Sequence, residues 1–476
     1  MRELIPLADK KKTKKQEEKE SHAWNTYKES EKKKVYKLAD DYRKFISQCK
    51  TERESATEAI RMAKAAGYVE LSEVIRKKKK LKAGDKVYAV GMKKTVALFQ
   101  IGTRPIENGL AILGAHIDTC RLDLKQNPLY EDGGMAYLDT HYYGGIKKYQ
   151  WVALPLALHG VVVKKDGKTL EITVGEDEDD PVFCVTDLLI HLAQEQMEKR
   201  ATKVVEGEKL DILVGSLPLP DEEKNAVKAG VLAILSAKYG ITKDDFVSAE
   251  LTLVPAGRAR AMGFDGSMTL GYGQDDRVCA FASLRAMLEM KAMKRTACCL
   301  LVDKEEIGSV GATGMQSRFF ENTLAELMEA AGEKGELRLR RALANSKMLS
   351  SDVSSGYDPL YASAFDKKNV AYLGGGMVFN KFTGSRGKSG SNDANAEYLA
   401  ELREMMDKHK VRFQTAELGK VDLGGGGTIA YIMALYGMQV VDCGVPVLSM
   451  HAPWEVTSSV DLYEATKGYK AFLMEA

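Results

Sequence analysis

The acidic pair Glu305 and Glu306 directly follows an apolar run, residues 297–302, with the length and composition of a buried strand. Gly308 and Gly311 come next and let the backbone turn sharply. In open α/β sheets, ligands bind in the crevice beyond the carboxyl ends of the strands. Adjacent carboxylates repel each other unless one binds a cation or holds a proton, so the pair predicts one metal ligand and one general base. Acidic pairs are also common on solvated surfaces, and residues elsewhere must decide between the two interpretations.

A second candidate segment places His116 and Asp118 at the end of another apolar run, residues 110–115. Side chains two positions apart on an extended segment face the same way. The carboxylate can therefore orient the imidazole, as acids commonly do for metal-bound histidines. A capped strand end without a function would show the same pattern.

Three further positions carry side chains of the same chemistry. Asp275 and Asp276 follow a glycine-rich turn and precede apolar residues at helical spacing, where they can cap a helix or bind a metal ion. Asp352 lies between small polar residues, and His451 follows another apolar run. A lone histidine is more often structural than functional.

In chain order these residues form the pattern His-x-Asp, Asp-Asp, Glu-Glu, Asp, His. The pattern closely resembles that of the co-catalytic metallopeptidases with two zinc ions. Within that clan it is most similar to the M18 aminopeptidases, which include aspartyl aminopeptidase and the vacuolar leucine-type enzyme, and the chain looks like a bacterial-type member. The resemblance extends to the blocks THYYGGIKKYQW, QTAELGKVDLGGGGTIAYIMA and PVLSMHAPWEVTSSVDLY.

The resemblance implies two divalent metal ions in each subunit, held by five side chains. The ligands would be His116, Asp275 and Asp352 for one ion, and Asp275, Glu306 and His451 for the other. Asp275 would bridge the ions, because the family's bridging aspartate is the first of its pair, with Asp276 as the neighbouring alternative. Zinc suits mixed histidine and carboxylate ligands, and manganese or cobalt fits such sites as well.

The implied reaction removes N-terminal residues from peptide substrates. A water bridging two metal ions becomes the nucleophile, Glu305 acts as general base, and Asp118 fixes the ring of His116. Two alternatives stay open: another metal-dependent amidase such as a deacylase, and a non-catalytic metal-binding scaffold. A scaffold would have no chemical need for Glu305.

Substrate preference is predicted from departures from the aspartyl enzymes. Ser355 and Asp358 stand where those enzymes carry histidines, and Lys381 is the nearest equivalent of their substrate-pocket lysine. We therefore expect neutral or apolar N-terminal residues to be preferred.

Alternating strand-like and helix-like runs predict an α/β fold with a mainly parallel sheet flanked by helices. The family inserts a dimerisation domain between the early and late ligand groups. The resemblance thus implies a zinc-peptidase-like catalytic domain formed by residues 1–124 and 249–476, and an inserted β-rich dimerisation domain over residues 125–248. One or two helices are predicted over about residues 10–49, and another over about 221–239, whose apolar stripe is either a core face or an interface.

Composition restricts the class of protein. The chain has 476 residues, 45% of them hydrophobic, which is enough for a large core and more than one domain. A net charge of +2 indicates no nucleic-acid partner, and no apolar run is long enough to make the membrane a partner. Seven cysteines without metal-binding spacing indicate reduced thiols, and the N-terminus lacks the apolar core of a signal peptide. We expect a cytoplasmic protein and, from the resemblance, a homo-oligomer such as a tetrahedral dodecamer.

Overall fold

The computed structural model describes residues 22–384 and 386–476. The strands in this part of the chain are β1 Val69–Glu70, β2 Lys86–Gly91, β3 Thr95–Gln100, β4 Ala111–His116, β5 Arg121–Asp132, β6 Met135–Tyr143, β7 Leu156–Val163, β8 Thr169–Val174, β9 Ile212–Gly215, β10 Ala249–Pro255, β11 Arg260–Met262, β12 Met268–Gly271, β13 Ala297–Val302, β14 Lys347–Ser351, β15 Ser354–Ser355, β16 Met377–Asn380, β17 Phe413–Thr415, β18 Gln439–Gly444, β19 Pro446–Leu448 and β20 Glu455–Ser458. The α-helices are α1 Glu29–Gln48, α2 Glu52–Ala65, α3 Leu71–Arg76, α4 Gln194–Met197, α5 Ala201–Val204, α6 Ala226–Ile234, α7 Gln274–Leu288, α8 Phe319–Ala331, α9 Glu336–Ala344, α10 Ala396–Lys408, α11 Ala430–Ala434 and α12 Ser459–Glu475.

The largest sheet has nine strands in the order β1-β2-β3-β13-β4-β14-β18-β16-β17. Its four central strands, β13, β4, β14 and β18, run parallel to one another. Every residue of β4 and of β13 is buried, as expected for a parallel sheet covered on both faces. The register pairs Val302 with His116 and Ser351 with Cys443, so these strands end together at one edge. The predicted α/β class with a mainly parallel sheet is confirmed.

Two apolar clusters cover the two faces of this sheet. One contains buried residues of α1, α2, α7, α10 and α12, and the other contains buried residues of α3, α8, α9 and α11. The neighbours Cys298 and Cys299 of β13 point into opposite clusters, because successive strand side chains alternate. None of the described helices combines the length and the apolar character needed to cross a membrane.

The described part of the N-terminal region forms a helix that packs its apolar side chains inward. Helix α1 accounts for the later part of the predicted segment 10–49, and residues 10–21 lie outside the described residues. Val35, Leu38 and Phe45 of α1 are buried. The ring of Phe45 lies 5.3 Å from that of Phe281 in α7, so α1 packs against the helix that carries the acidic pair at its start.

The second sheet is antiparallel, with six strands in the order β8-β7-β10-β5-β6-β9. Strands β7 and β8 form an antiparallel hairpin within it. The strands of this sheet lie between Arg121 and Pro255, slightly beyond both ends of the predicted segment 125–248. That this segment forms a separate dimerisation domain stays a prediction. The predicted helix over 221–239 is α6 followed by a π-helical turn, Leu235–Tyr239, with Val227 buried in the core of this sheet.

A buried ionic cluster connects the second sheet to the N-terminal helices. The ring of His159 in β7 lies between two carboxylates, with Nδ1 2.8 Å from Glu54 Oε1 and Nε2 3.1 Å from Glu176 Oε1. The Lys50 ammonium also donates to Glu176 and, at 2.6 Å, to the carbonyl of Pro255. Burial alone would lower the pKa of His159, but its hydrogen bonds to the two carboxylates raise it. A protonated His159 therefore stabilises this connection.

A third, small sheet completes the fold, with strands in the order β11-β12-β20-β19-β15. Strand β12 leads into α7, and the segment between β19 and β20 carries His451. This sheet therefore fixes the positions of two segments that the sequence marks as chemically important.

Candidate active site

The residues selected from the sequence lie together at the carboxyl edge of the central strands. His116 ends β4, Asp352 follows β14, and Glu305 and Glu306 follow β13. Residues that line one cavity of about 590 Å³ include Asp275, Glu305, Glu306, Asp352 and His451. His116 and Asp118 are 2% and 0% exposed. The fold thus brings all seven predicted site residues into one region.

Asp275 lies between the two histidines. Its Oδ1 is 3.2 Å from Nε2 of His116, and its Oδ2 is 3.1 Å from Nε2 of His451. Burial alone would raise the pKa of Asp275, but its contacts with the two imidazoles hold that pKa well below the usual range. The neighbouring Asp276, joined to Asp275 by a cis peptide bond, instead accepts a hydrogen bond from the backbone N–H of His116 at 3.4 Å. Asp275 is thus the carboxylate that contacts both rings.

The second ring nitrogen of each histidine faces an oxygen acceptor. Nδ1 of His116 lies 3.1 Å from the carbonyl oxygen and 3.3 Å from the carboxylate of Asp118. Nδ1 of His451 lies 3.0 Å from the carbonyl oxygen of Gly145. A carbonyl oxygen can only accept, so each Nδ1 carries a proton, and the neutral form of each ring has its lone pair on Nε2, facing the site. This tautomer is the one that a metal ion requires of Nε2.

Asp118 also holds the loop with the two glutamates. Its carboxylate accepts hydrogen bonds from the backbone N–H groups of Glu305 at 3.1 Å and Glu306 at 3.2 Å, and from the Tyr143 hydroxyl at 2.8 Å. Burial alone would raise the pKa of Asp118, but its hydrogen bonds to His116 and Tyr143 lower it. Asp118 therefore stays ionised and fixes one histidine and both glutamates.

The other carboxylates of the site are crowded and buried. Burial, with the negative charge of Asp275, raises the pKa of Glu306 to about 7. Burial and repulsion from Asp352 and Glu306 raise the pKa of Glu305 well above its usual range, although His116 opposes the shift. Burial and repulsion from Asp275 also raise the pKa of Asp352. Such a cluster is stable as a group of anions only when cations compensate it.

The residues present fit divalent metal ions. The side chain of Glu306 is only 3% exposed, and its Oε1 has no hydrogen-bond partner among the described residues. A buried oxygen without a partner is where a cation would fit. Three groups have ligand atoms within 4.8 Å of one another: His116 with Glu305 and Asp352, His116 with Asp275 and Glu306, and Cys120 with Glu306 and His451. Imidazole and carboxylate groups at this spacing are the ligands that zinc and manganese take in proteins.

Glu455 is a supporting residue that the sequence interpretation missed. Its carboxylate accepts the backbone N–H of Asp275 at 3.1 Å and that of His451 at 2.8 Å. His451 has a φ of 63°, an uncommon value for a residue with a side chain, and the bond to Glu455 helps to hold it there. The position of Glu455, four residues after His451, was the only sequence signal for this role. A single acidic residue in a strand does not by itself indicate a function.

The second sheet also contributes to the site. Tyr143 ends β6, and Gly145 follows it, so the residues that contact Asp118 and His451 lie within the predicted inserted segment, residues 125–248. The guanidinium of Arg121, at the start of β5, lies over the Tyr143 ring at 4.2 Å from its centre. Both Tyr143 and Gly145 belong to the block THYYGGIKKYQW, but nothing in their residue types indicated what they would contact.

The remaining wall of the cavity consists of uncharged groups and one acid. Its lining includes Asn380, Thr383, Leu418, the glycines 425–427, Tyr431, Met450 and Asp442. Burial raises the pKa of Asp442 to about 7, and Thr428 donates a hydrogen bond to it. Lys381 is 51% exposed and is not among the described residues that line the cavity. Because glycine has no side chain, glycines 425–427 let the backbone of this wall approach a substrate closely.

Comparison with known proteins agrees with this geometry. Residues 45–473 match the family described as Aminopeptidase I zinc metalloprotease (M18). The chain is 61% identical to a probable M18 family aminopeptidase 1 of Clostridium acetobutylicum, over 95% of this chain and 97% of that protein. The crystal structure of an M18 family aminopeptidase from Thermotoga maritima superposes with a TM-score of 0.91 at 41% identity, covering 96% of this chain and 99% of that chain.

A more distant solved structure, the S. cerevesiae mApe1 dodecamer, shares the fold with a TM-score of 0.74 at 20% identity, covering 91% of this chain and 96% of that chain. The extent of the family match and the identity to the bacterial proteins decide the classification. The chain belongs to the M18 family of zinc metallo-aminopeptidases.

Proposed function

We propose that this aminopeptidase works with two divalent metal ions. His116, Asp275 and Asp352 would hold the first ion, and Asp275, Glu306 and His451 the second. The position of Asp275 carries the proposal, because its two oxygens lie 3.2 and 3.1 Å from Nε2 atoms of different histidines. A carboxylate in that position can serve one ion with each oxygen. Zinc is the ion in the family description, and manganese or cobalt would fit the same groups.

Glu305 would act as the general base. When bound, the ions supply Lewis acidity toward the scissile carbonyl and lower the pKa of water. Glu305 lies beside them, with Oε2 3.8 Å from Nε2 of His116. Glu305 is not among the proposed ligands, so its carboxylate can take the proton of the attacking water and give it to the amine that leaves. Asp118 positions Glu305 by accepting a hydrogen bond from the backbone N–H of Glu305.

We propose that the substrates are peptides with a free N-terminus and a neutral first residue. The cavity lining has five carboxyl groups and, among the described residues, no lysine or arginine. A positively charged α-amine is attracted to such a cavity, whereas an acidic side chain would face Asp442 without a cation to pair with. Leu418, Tyr431 and Met450 offer apolar contacts to a neutral side chain. The free-amine requirement separates an aminopeptidase from a deacylase.

Homo-oligomer formation through the second sheet is part of the proposal. The segment over residues 182–197 exposes a group of large apolar side chains. They are Val182, Leu188, Leu189, Ile190, Leu192 and Met197. Apolar side chains concentrated on a surface in this way indicate a protein interface. The dodecameric assembly of the S. cerevesiae relative supports a closed assembly here too, with residues 125–248 as the assembly domain. Cytoplasmic location stays a prediction.

The test is a panel of aminoacyl p-nitroanilides with leucine, methionine, lysine, aspartate and glutamate, each with its N-acetylated counterpart. Each substrate is measured with zinc, manganese and cobalt, beside a Glu305→Gln variant whose metal content is determined by mass spectrometry. We expect cleavage of free-amine substrates only, with leucine and methionine preferred. The variant should retain two metal ions per chain and lose at least about 100-fold in kcat, the lower range of general-base contributions.

Each alternative gives a different result. Cleavage of acetylated substrates would indicate another amidase, and bound metal without any cleavage would indicate a scaffold. Equal rates for leucine and aspartate would refute the neutral preference alone. A wild-type chain that binds one ion at full activity would refute the two-metal mechanism.

A further inference from the structure

Cys120 lies next to the second proposed metal site. Its Sγ is 3.3 Å from Oε2 of Glu306, to which the thiol donates a hydrogen bond. The ligand atoms of Cys120, Glu306 and His451 all lie within 4.8 Å of one another. The mechanism proposed above does not use this thiol.

The surroundings hold the sulfur in place. Cys120 is 2% exposed, and its carbonyl oxygen accepts a hydrogen bond from the Tyr272 hydroxyl at 2.9 Å. Gly144 covers the sulfur closely, since a Cβ at that position would lie 2.6 Å from Sγ and 3.3 Å from Oε2 of Glu306. Any larger residue would push the sulfur or the carboxylate. The absence of a side chain at Gly144 thus leaves room for the thiol beside Glu306.

A second observation indicates that a ligand belongs at this point. Oε1 of Glu306 has no hydrogen-bond partner among the described residues, and the side chain is only 3% exposed. Oε2 receives the weak S–H donor and lies 3.5 Å from Nε2 of His451. A buried carboxylate that lacks partners is costly. A cation between Glu306, His451 and Cys120 would compensate the charge of this carboxylate.

We propose that Cys120 is a ligand of the second metal ion, in addition to Asp275, Glu306 and His451. This inference rests on the two-metal function proposed above. Coordination replaces the S–H bond by a sulfur–metal bond, and the proton leaves to solvent. The first site then has nitrogen and oxygen ligands, whereas the second also has a soft sulfur ligand. Sulfur favours zinc, cobalt and cadmium over manganese, so the two sites differ in metal preference.

The test loads the wild-type protein with Co²⁺ and records its near-ultraviolet absorption, beside Cys120→Ser and the control Cys184→Ser. Cys184 lies in the second sheet region, where its thiol contacts the carbonyl of Val185. We expect a thiolate-to-cobalt charge-transfer band in the wild type and in the control, and its loss in Cys120→Ser. Zinc affinity of one site should fall roughly 10-fold or more in that variant, in the range found when partners of metal ligands are removed, with manganese affinity little changed.

The wild-type spectrum decides without depending on any variant's folding. Two bound cobalt ions without the band would overturn the role of Cys120 and leave the two-metal function intact. A band that persists in Cys120→Ser would also overturn it, since another cysteine would be the ligand. A wild type that binds no cobalt, zinc or manganese would overturn this inference together with the proposed function.

Discussion

Replacement of Asp118 by asparagine tests how far one buried carboxylate organises the whole centre. Four donors face it: the hydroxyl of Tyr143, the backbone N–H groups of Glu305 and Glu306, and Nδ1 of His116. An amide has one acceptor oxygen, and its NH₂ group would face donors rather than acceptors. We therefore expect the glutamate loop and the ring of His116 to lose their fixed positions.

The magnitude follows from the type of bond that is lost. A hydrogen bond to a charged group contributes about 1.5–3 kcal/mol, and each 1.4 kcal/mol corresponds to about tenfold in binding. If the loss of one such bond is transmitted to metal binding, affinity falls roughly 10- to 100-fold, the range known for the outer partners of metal ligands. The milder Tyr143→Phe removes a single donor and leaves the carboxylate in place, so its cost should lie at the lower end of that range, roughly 10-fold.

Zinc affinity is measured by competition with a chelator of known affinity, and kcat/KM by hydrolysis of leucine p-nitroanilide at saturating metal. Asp166→Asn is the matched control, because Asp166 lies in the exposed turn between β7 and β8. Circular dichroism establishes that each variant is folded. Wild-type zinc affinity and wild-type kcat/KM in a folded Asp118→Asn would refute the organising role of this carboxylate.

Three further results are expected. Glu455→Gln should weaken metal binding roughly 10-fold, because its carboxylate holds the backbone of two proposed ligands; metal content after dialysis measures this, and full occupancy would contradict it. The pKa of His159 is raised on folding, so its stabilisation is present below the unfolded pKa near 6.5 and lost as pH rises through the folded value. The difference in Tm between wild type and His159→Gln should therefore shrink from acidic to alkaline pH, and a constant difference would argue against the ionic role. Ile190→Asp should reduce the oligomer size in light scattering, whereas Met92→Asp, at the same 68% exposure, should leave it unchanged; an unchanged assembly in both would exclude this surface as an interface.

The sequence predicted the location of candidate site residues well where these residues directly follow a strand. His116 and the two glutamates each follow an apolar run, and the carboxyl ends of neighbouring parallel strands meet at one edge. The helix after Asp276 was predictable from its apolar spacing. Strand order was not, because β13 lies between β3 and β4 although more than 180 residues separate it from them in the chain, and no local pattern encodes that neighbour.

The supporting contacts could not be predicted for a different physical reason. Asp118 acts on Glu305 through a backbone N–H, which every residue except proline has, so no residue type marks it. Tyr143 and Cys120 have side chains that occur in many cores, and only their distances give them a role. Strand β5 of the second sheet begins at Arg121, three residues after the His-x-Asp motif. The chain therefore enters the second sheet before residue 124, the predicted end of the first catalytic segment.

The hydroxyl of Tyr143 and the carbonyl of Gly145 have a consequence for engineering. Excising residues 125–248 and rejoining the ends would give a shortened protein that keeps every proposed ligand. It would still lack the donor to Asp118 and the acceptor for Nδ1 of His451. A protein shortened in this way would therefore lose the acceptor that orients His451 and one of the donors that hold Asp118, the partner of His116.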